Sequence, residues 1–292
     1  MVFFMLKQII MEDLQDCLLP GKILQIHIGQ TDEIFNKVAA QTLCDTITKL
    51  IASGIDTPNL TLARGNTQTG IYQLISQTPD MLSILSRARF FQLDEILDAP
   101  KSFRDFTEAE ILRAVFDGNI PPDRWHYFDT SMSPEEACDA MRSKLTLYGG
   151  LHIAFLGLGA ENDDHYALVR GGISVDADII SPELSEGIRN SYKGYLGKDQ
   201  TRSTSVPTHG LSLAHGAMPD HIIISAKGAG KADPVFNMLC TNRDPNEAPD
   251  ISTTFLRDRE NVTLILDRDA AEKIKHERAL LPARSEIFEY TQ

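Results

Sequence analysis

Hydrophobic and polar positions along the chain follow two different periods, and each period predicts one kind of element. Residues 22–28 alternate between apolar and polar, which is the pattern of a strand with one buried face. Residues 32–53 instead place apolar side chains at helical spacing, and Gly54 follows as a helix terminator. Residues 151–157 form a continuous apolar run, which is typical of a strand buried on both faces.

The rest of the chain repeats this change of period. Further strands are predicted at residues 59–63, 89–93, 210–214, 221–226 and 261–266. Further helices are predicted around residues 71–75, 108–116, 134–147, 231–239 and 268–275. Strands that alternate with helices predict an α/β fold in which a layered sheet is flanked by helices. Because ligands of such sheets bind at the carboxyl ends of the strands, the polar residues there are the candidates for chemistry.

The composition is that of an ordinary globular protein. Of the 292 residues, 42% are hydrophobic and 24% are charged. We expect a single domain over residues 1–292, with residues 1–21 as an N-terminal extension. The apolar start is soon followed by acidic residues and lacks a small-residue cleavage site, so it is not interpreted as a secretion signal. No apolar run reaches the ~18 residues that a membrane-spanning helix needs.

Charge and cysteine content indicate which partners and which cellular compartment to expect. The 41 acidic residues outnumber the 28 basic ones, which gives a formal net charge of −13. This excess disfavours nucleic acid and anionic membranes as partners, whereas a local cationic pocket can still hold a small anion. The four cysteines are far apart and form no Cys-x-x-Cys pair. They favour a reduced, cytoplasmic setting over a zinc site or a disulfide framework.

Two early strand ends carry polar groups that could bind or react. After residues 59–63, Gly65 lets the backbone approach an anion, Thr67 offers a hydroxyl, and the next helix directs its positive end at this loop. An ordinary strand-to-helix turn is the alternative. After residues 89–93, the paired carboxylates of Asp94 and Glu95 could supply a proton-abstracting base. An exposed acidic turn is the alternative there.

Two later strand ends add a histidine and a lysine. Residues 157–159 lead to Asp163, Asp164 and His165, and an Asp beside a His can orient the ring for acid–base work near neutral pH. Metal binding is the weaker interpretation, because no second His cluster is present, and the third glycine of a dinucleotide fingerprint is missing. Lys231 begins a predicted helix and is either an anion ligand or a solvated surface lysine; the glycines before it lack the spacing of a nucleotide-triphosphate loop.

Taken in order, these segments resemble the glucosamine-6-phosphate isomerase/deaminase and 6-phosphogluconolactonase family. The family's Gly-Ser-Thr-Pro-x-x-x-Tyr segment is similar to residues 65–72, its Asp-Glu strand end to residues 92–95, and its Gly-x-Gly-x-Asp-Gly-His-x-Ala signature to residues 157–167. Other similar segments are residues 102–106, 207–216, 221–231 and 262–267, so the resemblance covers residues 22–275. It implies a three-layer, Rossmann-like α/β sheet flanked by helices, of the glucosamine-6-phosphate isomerase type.

The chain also departs from both branches of that family. Two extra residues precede Asp163, Asp164 replaces the glycine before the histidine, and Gln68 replaces the proline of the phosphate turn. The deaminases continue with Phe-Asn-Glu-Pro, whose Glu assists ring opening, where this chain has Leu-Val-Arg-Gly at residues 168–171. The lactonase continuation Ala-Ser-Leu-Phe-Pro is absent too.

The resemblance implies an enzyme that acts on a small sugar phosphate and needs no metal and no organic cofactor. A second cation is expected near residue 189, where Lys193 and Arg202 compete with the preferred arginine. The implied phosphate-binding residues are Gly65, Asn66, Thr67, Lys231 and Arg189.

Three functions are compatible with the resemblance. In the deaminase interpretation, His165, oriented by Asp163, opens the sugar ring by proton transfer at O5, and Asp94 then moves a proton between C2 and C1, so that ammonia leaves an amino-sugar phosphate. In the lactonase alternative, His165 activates water to attack a sugar lactone. The third alternative is a protein that binds a sugar phosphate without turnover. Oligomers occur in this family, and the sequence leaves a homo-oligomer open.

Overall fold

The computed structural model describes residues 23–97, 99, 101–159, 165–184, 189, 209–219, 221–240, 253–257, 259, 261–282 and 285–291. The strands in these ranges are β1 (Ile23–Gly29), β2 (Asn59–Leu62), β3 (Arg89–Gln92), β4 (Asp94–Ile96), β5 (Trp125–His126), β6 (Ile153–Gly157), β7 (Ile179–Ile180), β8 (Gly210–Leu213), β9 (His221–Ala226), β10 (Asn261–Asp267) and β11 (Ser285–Tyr290).

The helices lie between these strands. They are α1 (Asp32–Ala52), α2 (Asn66–Ser76), α3 (Pro79–Leu85), α4 (Phe103–Thr107), α5 (Arg113–Val115), α6 (Pro134–Leu147), α7 (Ala232–Cys240), α8 (Thr254–Arg257) and α9 (Glu272–His276). A π-helical turn, Glu108–Leu112, joins α4 to α5, and a 3-10 turn, Ala229–Lys231, leads into α7.

Most strands of the described chain join one parallel sheet. Its order is β11-β1-β10-β9-β6-β2-β3-β5, and each neighbouring pair runs parallel. A smaller sheet has the order β4-β8-β7, with antiparallel pairs. Parallel pairing explains why the central strands are apolar on both faces, because helices and loops cover each side of such a sheet.

Buried apolar side chains form a layer on each face of the main sheet. On one face, Ile26 of β1 and Ile224 of β9 belong to one core. On the opposite face, Phe35 of α1 packs in a second core with Phe155 of β6 and Ile265 of β10. The alternation of side chains along each strand sends neighbouring residues into different cores, so the sheet is the middle of three layers.

The strand order creates a crevice between β2 and β6. From β2 the chain moves through β3 and β5 to one edge of the sheet, and β6 then returns to the other side of β2. From β6 the strands continue in the opposite direction, through β9 and β10. Connections that diverge in this way leave space at the carboxyl ends of the two central strands, and that space is where open α/β sheets bind ligands.

The predicted three-layer α/β fold is confirmed, and each predicted strand is present among the described residues. Helix α6 also spans the predicted residues 134–147. The helix predicted at 108–116 instead begins with the π-helical turn, and the one predicted at 268–275 is reduced to α9.

The structure also has elements that the pattern did not predict, namely α3, α4, α8, β4, β5, β7 and β11. Most of these strands are short, and β4 and β7 both pair with β8, which is distant from them in the sequence, so no local period marks them. The predicted extension, residues 1–21, lies outside the described residues and stays a prediction. Within the described ranges, no helix combines the length and the apolar character that crossing a membrane requires.

Candidate active site

A cavity of about 330 Å³ opens at the carboxyl ends of the central strands, at the crevice between β2 and β6. Its volume lies at the lower end of the range of small-molecule sites, about 300–1,000 Å³. The lining residues are Ala63, Arg64, Gly65, Asn66, Thr67, Gln68, Leu93, Asp94, Gly157, Leu158, Gly159, His165, Ala167, Lys227 and Lys231. Three cationic side chains and one carboxylate occur among them, so the cavity is suited to an anion although the whole chain is acidic.

The loop after β2 presents the amino end of a helix to the cavity. Gly65 has φ +149°, a conformation that side chains rarely allow, and α2 begins directly after it. Asn66 and Thr67 form the first turn of this helix, whose N–H groups cannot bond within the helix. The partial positive charge of the helix end adds to those N–H groups, so this loop can bind an anion.

Gln68 holds this loop against the main sheet. Its side chain is 2% exposed, and its Nε2 donates to Ser225 Oγ of β9 at 3.0 Å. A Cβ on Gly157 would come within 2.8 Å of the same nitrogen, so the close approach depends on that glycine. The residue that replaces the proline of the resembled motif thus links the α2 end to β9 through one buried hydrogen bond and packs closely on Gly157 of β6.

Asp94 is the carboxylate of the cavity. The residue follows the carboxyl end of β3, where the sequence predicted it, and begins the short strand β4, which pairs with β8. Burial raises the pKa of Asp94 from 3.8 to about 7, the adjacent Glu95 carboxylate adds to the rise, and the Arg64 guanidinium opposes it. A carboxyl that titrates near neutral pH can both accept and return a proton during a reaction.

Glu95 has a different role from its neighbour. Its side chain is 1% exposed and lies outside the cavity lining. It accepts hydrogen bonds from Ser102 Oγ at 2.6 Å, from the backbone N–H of Phe103 at 2.9 Å and from that of Arg104 at 3.2 Å. These donors form the start of α4, so Glu95 caps that helix and the predicted carboxylate pair separates into one cavity group and one structural group.

His165 enters the cavity from the loop that follows β6. The residue is 4% exposed, and its backbone oxygen accepts from the N–H of Gly159 at 2.6 Å. A Cβ on Gly159 would lie 2.2–2.4 Å from three atoms of the imidazole ring, so the ring packs directly on that glycine. Asp163 lies outside the described residues, and its predicted role beside His165 stays a prediction.

Two lysines line the cavity on the side of β9. Lys227 pairs with Asp32 of α1, with Nζ 2.6 Å from Oδ2. Lys231 ends the 3-10 turn before α7. Between them, the N–H of Gly228 donates to both oxygens of Asp267, at 3.0 and 2.9 Å, which fixes the turn that carries both ammonium groups.

The cavity unites most of the residues that the sequence singled out. The predicted residues that line it are Gly65, Asn66, Thr67, Asp94, His165 and Lys231. Arg189 is not among the described residues that line it. Sequence analysis missed Arg64 and Lys227 as site residues, although both flank motifs that were recognised. In the described part of the chain, no three His, Cys, Asp or Glu side chains are grouped so that they could hold a metal ion.

Among known proteins, the sequence relatives described here are deaminases, and the solved structures with a similar fold include a deaminase and a 6-phosphogluconolactonase. No family model matches the chain. It is 26% identical over 251 residues to a glucosamine-6-phosphate deaminase of Alkaliphilus oremlandii, which covers 84% of this chain and 98% of that protein. It is 28% identical over 229 residues to glucosamine-6-phosphate deaminase 2 of Bacillus subtilis, covering 74% of this chain and 86% of that protein.

Solved structures share the fold over similar lengths. A monomeric glucosamine-6-phosphate deaminase has a TM-score of 0.70 at 21% identity and covers 84% of this chain and 98% of its own. A 6-phosphogluconolactonase from Trypanosoma brucei has a TM-score of 0.65 at 20% identity and covers 86% and 98%. In sequence this chain is similar to curated glucosamine-6-phosphate deaminases, and it shares its fold with deaminases and 6-phosphogluconolactonases, so the resemblance to the glucosamine-6-phosphate isomerase/deaminase and 6-phosphogluconolactonase family is confirmed at the level of a divergent relative.

Proposed function

We propose that this protein is a glucosamine-6-phosphate deaminase, which converts an amino-sugar phosphate into a ketose phosphate and ammonia. The observation that carries the proposal is the single cavity in which an anion-binding helix end, a lysine, a histidine and a carboxyl with a near-neutral pKa meet. The curated relatives named above are deaminases, and they support this choice of reaction.

The phosphate is bound at the β2–α2 loop. Gly65 permits the approach of the anion, the first-turn N–H groups of Asn66 and Thr67 point to it, and Lys231 supplies a full charge. Since Arg189 is not among the described lining residues, Lys227 is the second ammonium available in the cavity. This end of the cavity fixes the substrate, and the sugar extends from it toward the carboxylate and the imidazole.

His165 and Asp94 perform the proton transfers. His165, oriented by Asp163, moves the proton that opens the pyranose ring at O5 and exposes the C1 aldehyde. Asp94 then removes the proton from C2 to give an enolamine and returns it to C1. The resulting C2 imine is hydrolysed by water to the ketone, and ammonia leaves. A base with a pKa of about 7 suits both halves of this transfer.

Asp94→Asn tests this assignment. The variant keeps the shape of the side chain but cannot take a proton, so ammonia release from glucosamine 6-phosphate should fall by about 10²–10⁴-fold. Binding of the substrate, measured by calorimetry, should persist because the phosphate loop is unchanged. The matched control is Asp105→Asn on α4, since Asp105 is exposed and is not a lining residue of the cavity. Unchanged turnover in Asp94→Asn would reject Asp94 as the base.

A 6-phosphogluconolactonase is the second candidate, and one observation favours it. The family's ring-opening Glu falls in a stretch that is Leu168-Val169-Arg170-Gly171 here, and Leu168 and Val169 are fully buried, apolar residues. In that reaction His165 activates water against a lactone carbonyl, and Asp94 has no proton to move. Acid release from 6-phosphogluconolactone, followed beside ammonia release, separates the two reactions. Binding without either product would identify a sugar-phosphate sensor.

We also propose that the protein acts in the cytoplasm on a small molecule, without nucleic acid. Cys44, Cys138 and Cys240 are free thiols, as a reducing compartment requires. The net charge of −13 opposes contact with nucleic acid. A homo-oligomer stays a prediction, and light scattering of the full chain measures the subunit number.

A further inference from the structure

Arg64 is a cavity residue that the recognised motifs do not include. It lies between β2 and Gly65, directly before the phosphate loop, and it lines the cavity together with Asp94. Its guanidinium, however, is directed to α4, where its Cζ lies 4.0 Å from the centroid of the Phe106 ring and 5.1 Å from that of Phe103. Two aromatic contacts of this kind hold a planar cation in one orientation.

The aromatic contacts of Arg64 depend on the capping carboxylate of β4. Glu95 binds the amino end of α4 through Ser102 Oγ and the N–H of Phe103, as described above. That cap fixes where α4 begins and so where Phe103 and Phe106 present their rings. Asp94 thus supplies the carboxylate of the cavity. Its neighbour Glu95 anchors α4, whose two rings support the Arg64 guanidinium.

A second carboxyl, Glu110 of the π-helical turn, is electrostatically linked to Arg64. Glu110 is partly buried, and its Oε2 has no hydrogen-bond partner in the described part of the chain. Burial raises the pKa of Glu110, and the Arg64 guanidinium opposes that rise, as it does for Asp94. The Arg64 guanidinium thus lowers the pKa of one carboxyl outside the cavity lining and of one carboxyl within it.

We propose that Arg64 is a positioning residue that, stacked on Phe106 and Phe103, holds its positive charge in the cavity that Asp94 lines and so favours the carboxylate form of Asp94 for proton abstraction. The inference rests on the proposed deaminase function and deepens it. The phosphate contacts remain with the α2 end and Lys231. The role is separate from phosphate binding because the guanidinium stacks on α4, beside β4.

Among the described residues, two charged groups act on the pKa of Asp94. Glu95, on the same strand, raises the pKa, and the Arg64 guanidinium lowers it. The other titratable side chains of the described lining are His165, Lys227 and Lys231. Strand β8, which pairs with β4, has the sequence Gly-Leu-Ser-Leu and carries no titratable side chain.

The test compares Arg64→Gln with the wild-type protein. Without the cation, only burial and Glu95 act on the pKa of Asp94, and both raise it. The acidic limb of the profile of kcat against pH should therefore move to higher pH by roughly one unit. The KM for glucosamine 6-phosphate and the inhibition constant of inorganic phosphate should change less than threefold. Arg113→Gln on α5 is the matched control, because Arg113 is exposed and outside the cavity lining. A weaker inhibition by phosphate with an unmoved limb would overturn the proposal and make Arg64 a phosphate ligand.

A readout without substrate separates this proposal from the proposed function. The carboxyl carbon of Asp94 is titrated by ¹³C NMR in the labelled protein, with Asp94→Asn as the assignment control. Its midpoint should rise in Arg64→Gln whether or not the protein releases ammonia, and an unmoved midpoint would overturn the proposal. If Arg64→Gln does not fold, Phe106→Leu retains the guanidinium and removes its support. A smaller shift in the same direction is expected there, and no shift would overturn the proposal too.

Discussion

Gly159→Ala adds a single methyl group against the histidine of the cavity. The new Cβ would lie 2.2 Å from Cε1 of His165 and 2.4 Å from each ring nitrogen. Ordinary contact between such atoms begins near 3.4 Å, so the ring must retreat by about 1 Å. A displacement of that size at a catalytic group costs about 10²-fold in rate. We therefore expect kcat for ammonia release to fall by about two orders of magnitude.

The assay must separate a displaced histidine from a damaged fold. The excess methyl should cost about 1–3 kcal/mol of stability, which thermal unfolding measures independently of activity. Calorimetric binding of inorganic phosphate should be retained, because the three atoms nearest the added methyl group all belong to the His165 ring and none to the α2 end. His165→Ala gives the rate that remains without an imidazole. Gly230→Ala is the control, since a Cβ at Gly230 has no atom within 4 Å.

Two results would refute this reasoning. If Gly159→Ala keeps the wild-type kcat while His165→Ala loses it, the imidazole works in a position other than the one packed on Gly159. If both variants keep the wild-type kcat, His165 takes no part in the chemistry.

Three further predictions follow from buried groups near the cavity. The kcat of the wild-type protein should fall as the pH drops through about 7, because Asp94 then becomes protonated. Stopped ammonia assays from pH 5 to 9 measure this dependence. A flat profile would exclude Asp94 as the base. Asp94→Asn should raise the free energy of unfolding at pH 8 by up to about 4 kcal/mol, since the folded chain releases this proton near pH 7 and the unfolded chain near 3.8. In denaturant unfolding that gain should vanish toward pH 4, and an equal gain at both pH values would contradict it. Gln68→Ala should lower the free energy of unfolding by about 1–3 kcal/mol, because Ser225 loses its buried hydrogen-bond partner. It should also raise the KM, because the phosphate loop loses its anchor. Gln73→Ala, on the exposed side of α2, should change neither quantity.

The sequence allowed the position of the site to be predicted because parallel strands end at one edge. Gly65, Asp94 and His165 each follow a segment whose apolar pattern predicts a strand, so a parallel sheet brings them together whatever the details of packing. The same reasoning could not find Arg64. Its orientation depends on the rings of Phe103 and Phe106, which a helix cap about 30 residues away puts in place, and no local period encodes such a contact.

The separate roles of Asp94 and Glu95 show a second limit of sequence reasoning. Both residues are acidic and adjacent, and strand geometry sends adjacent side chains to opposite faces. One face of β4 meets the cavity and the other meets the start of α4, but the existence of β4 depends on pairing with β8, more than 100 residues later. The pattern at residues 94–96 is too short to predict that strand, so the two carboxylates could not be told apart before the fold was known.

The departures of this chain from the family that it resembles fall unequally on the two ends of the cavity. At the phosphate end, Gln68 replaces a proline, but its buried bond to Ser225 holds the loop in place, so the anion site is preserved by other means. At the sugar end, the apolar residues Leu168 and Val169 stand in the stretch that supplies the family's ring-opening carboxylate, and both are buried. Asp94 is already assigned to the transfer between C2 and C1. Among the described lining residues, ring opening then depends on His165. A substrate that is already open-chain should therefore react much faster than a pyranose phosphate, and comparing the two substrates in single-turnover experiments tests this. Equal rates would mean that another group in this protein replaces the missing carboxylate.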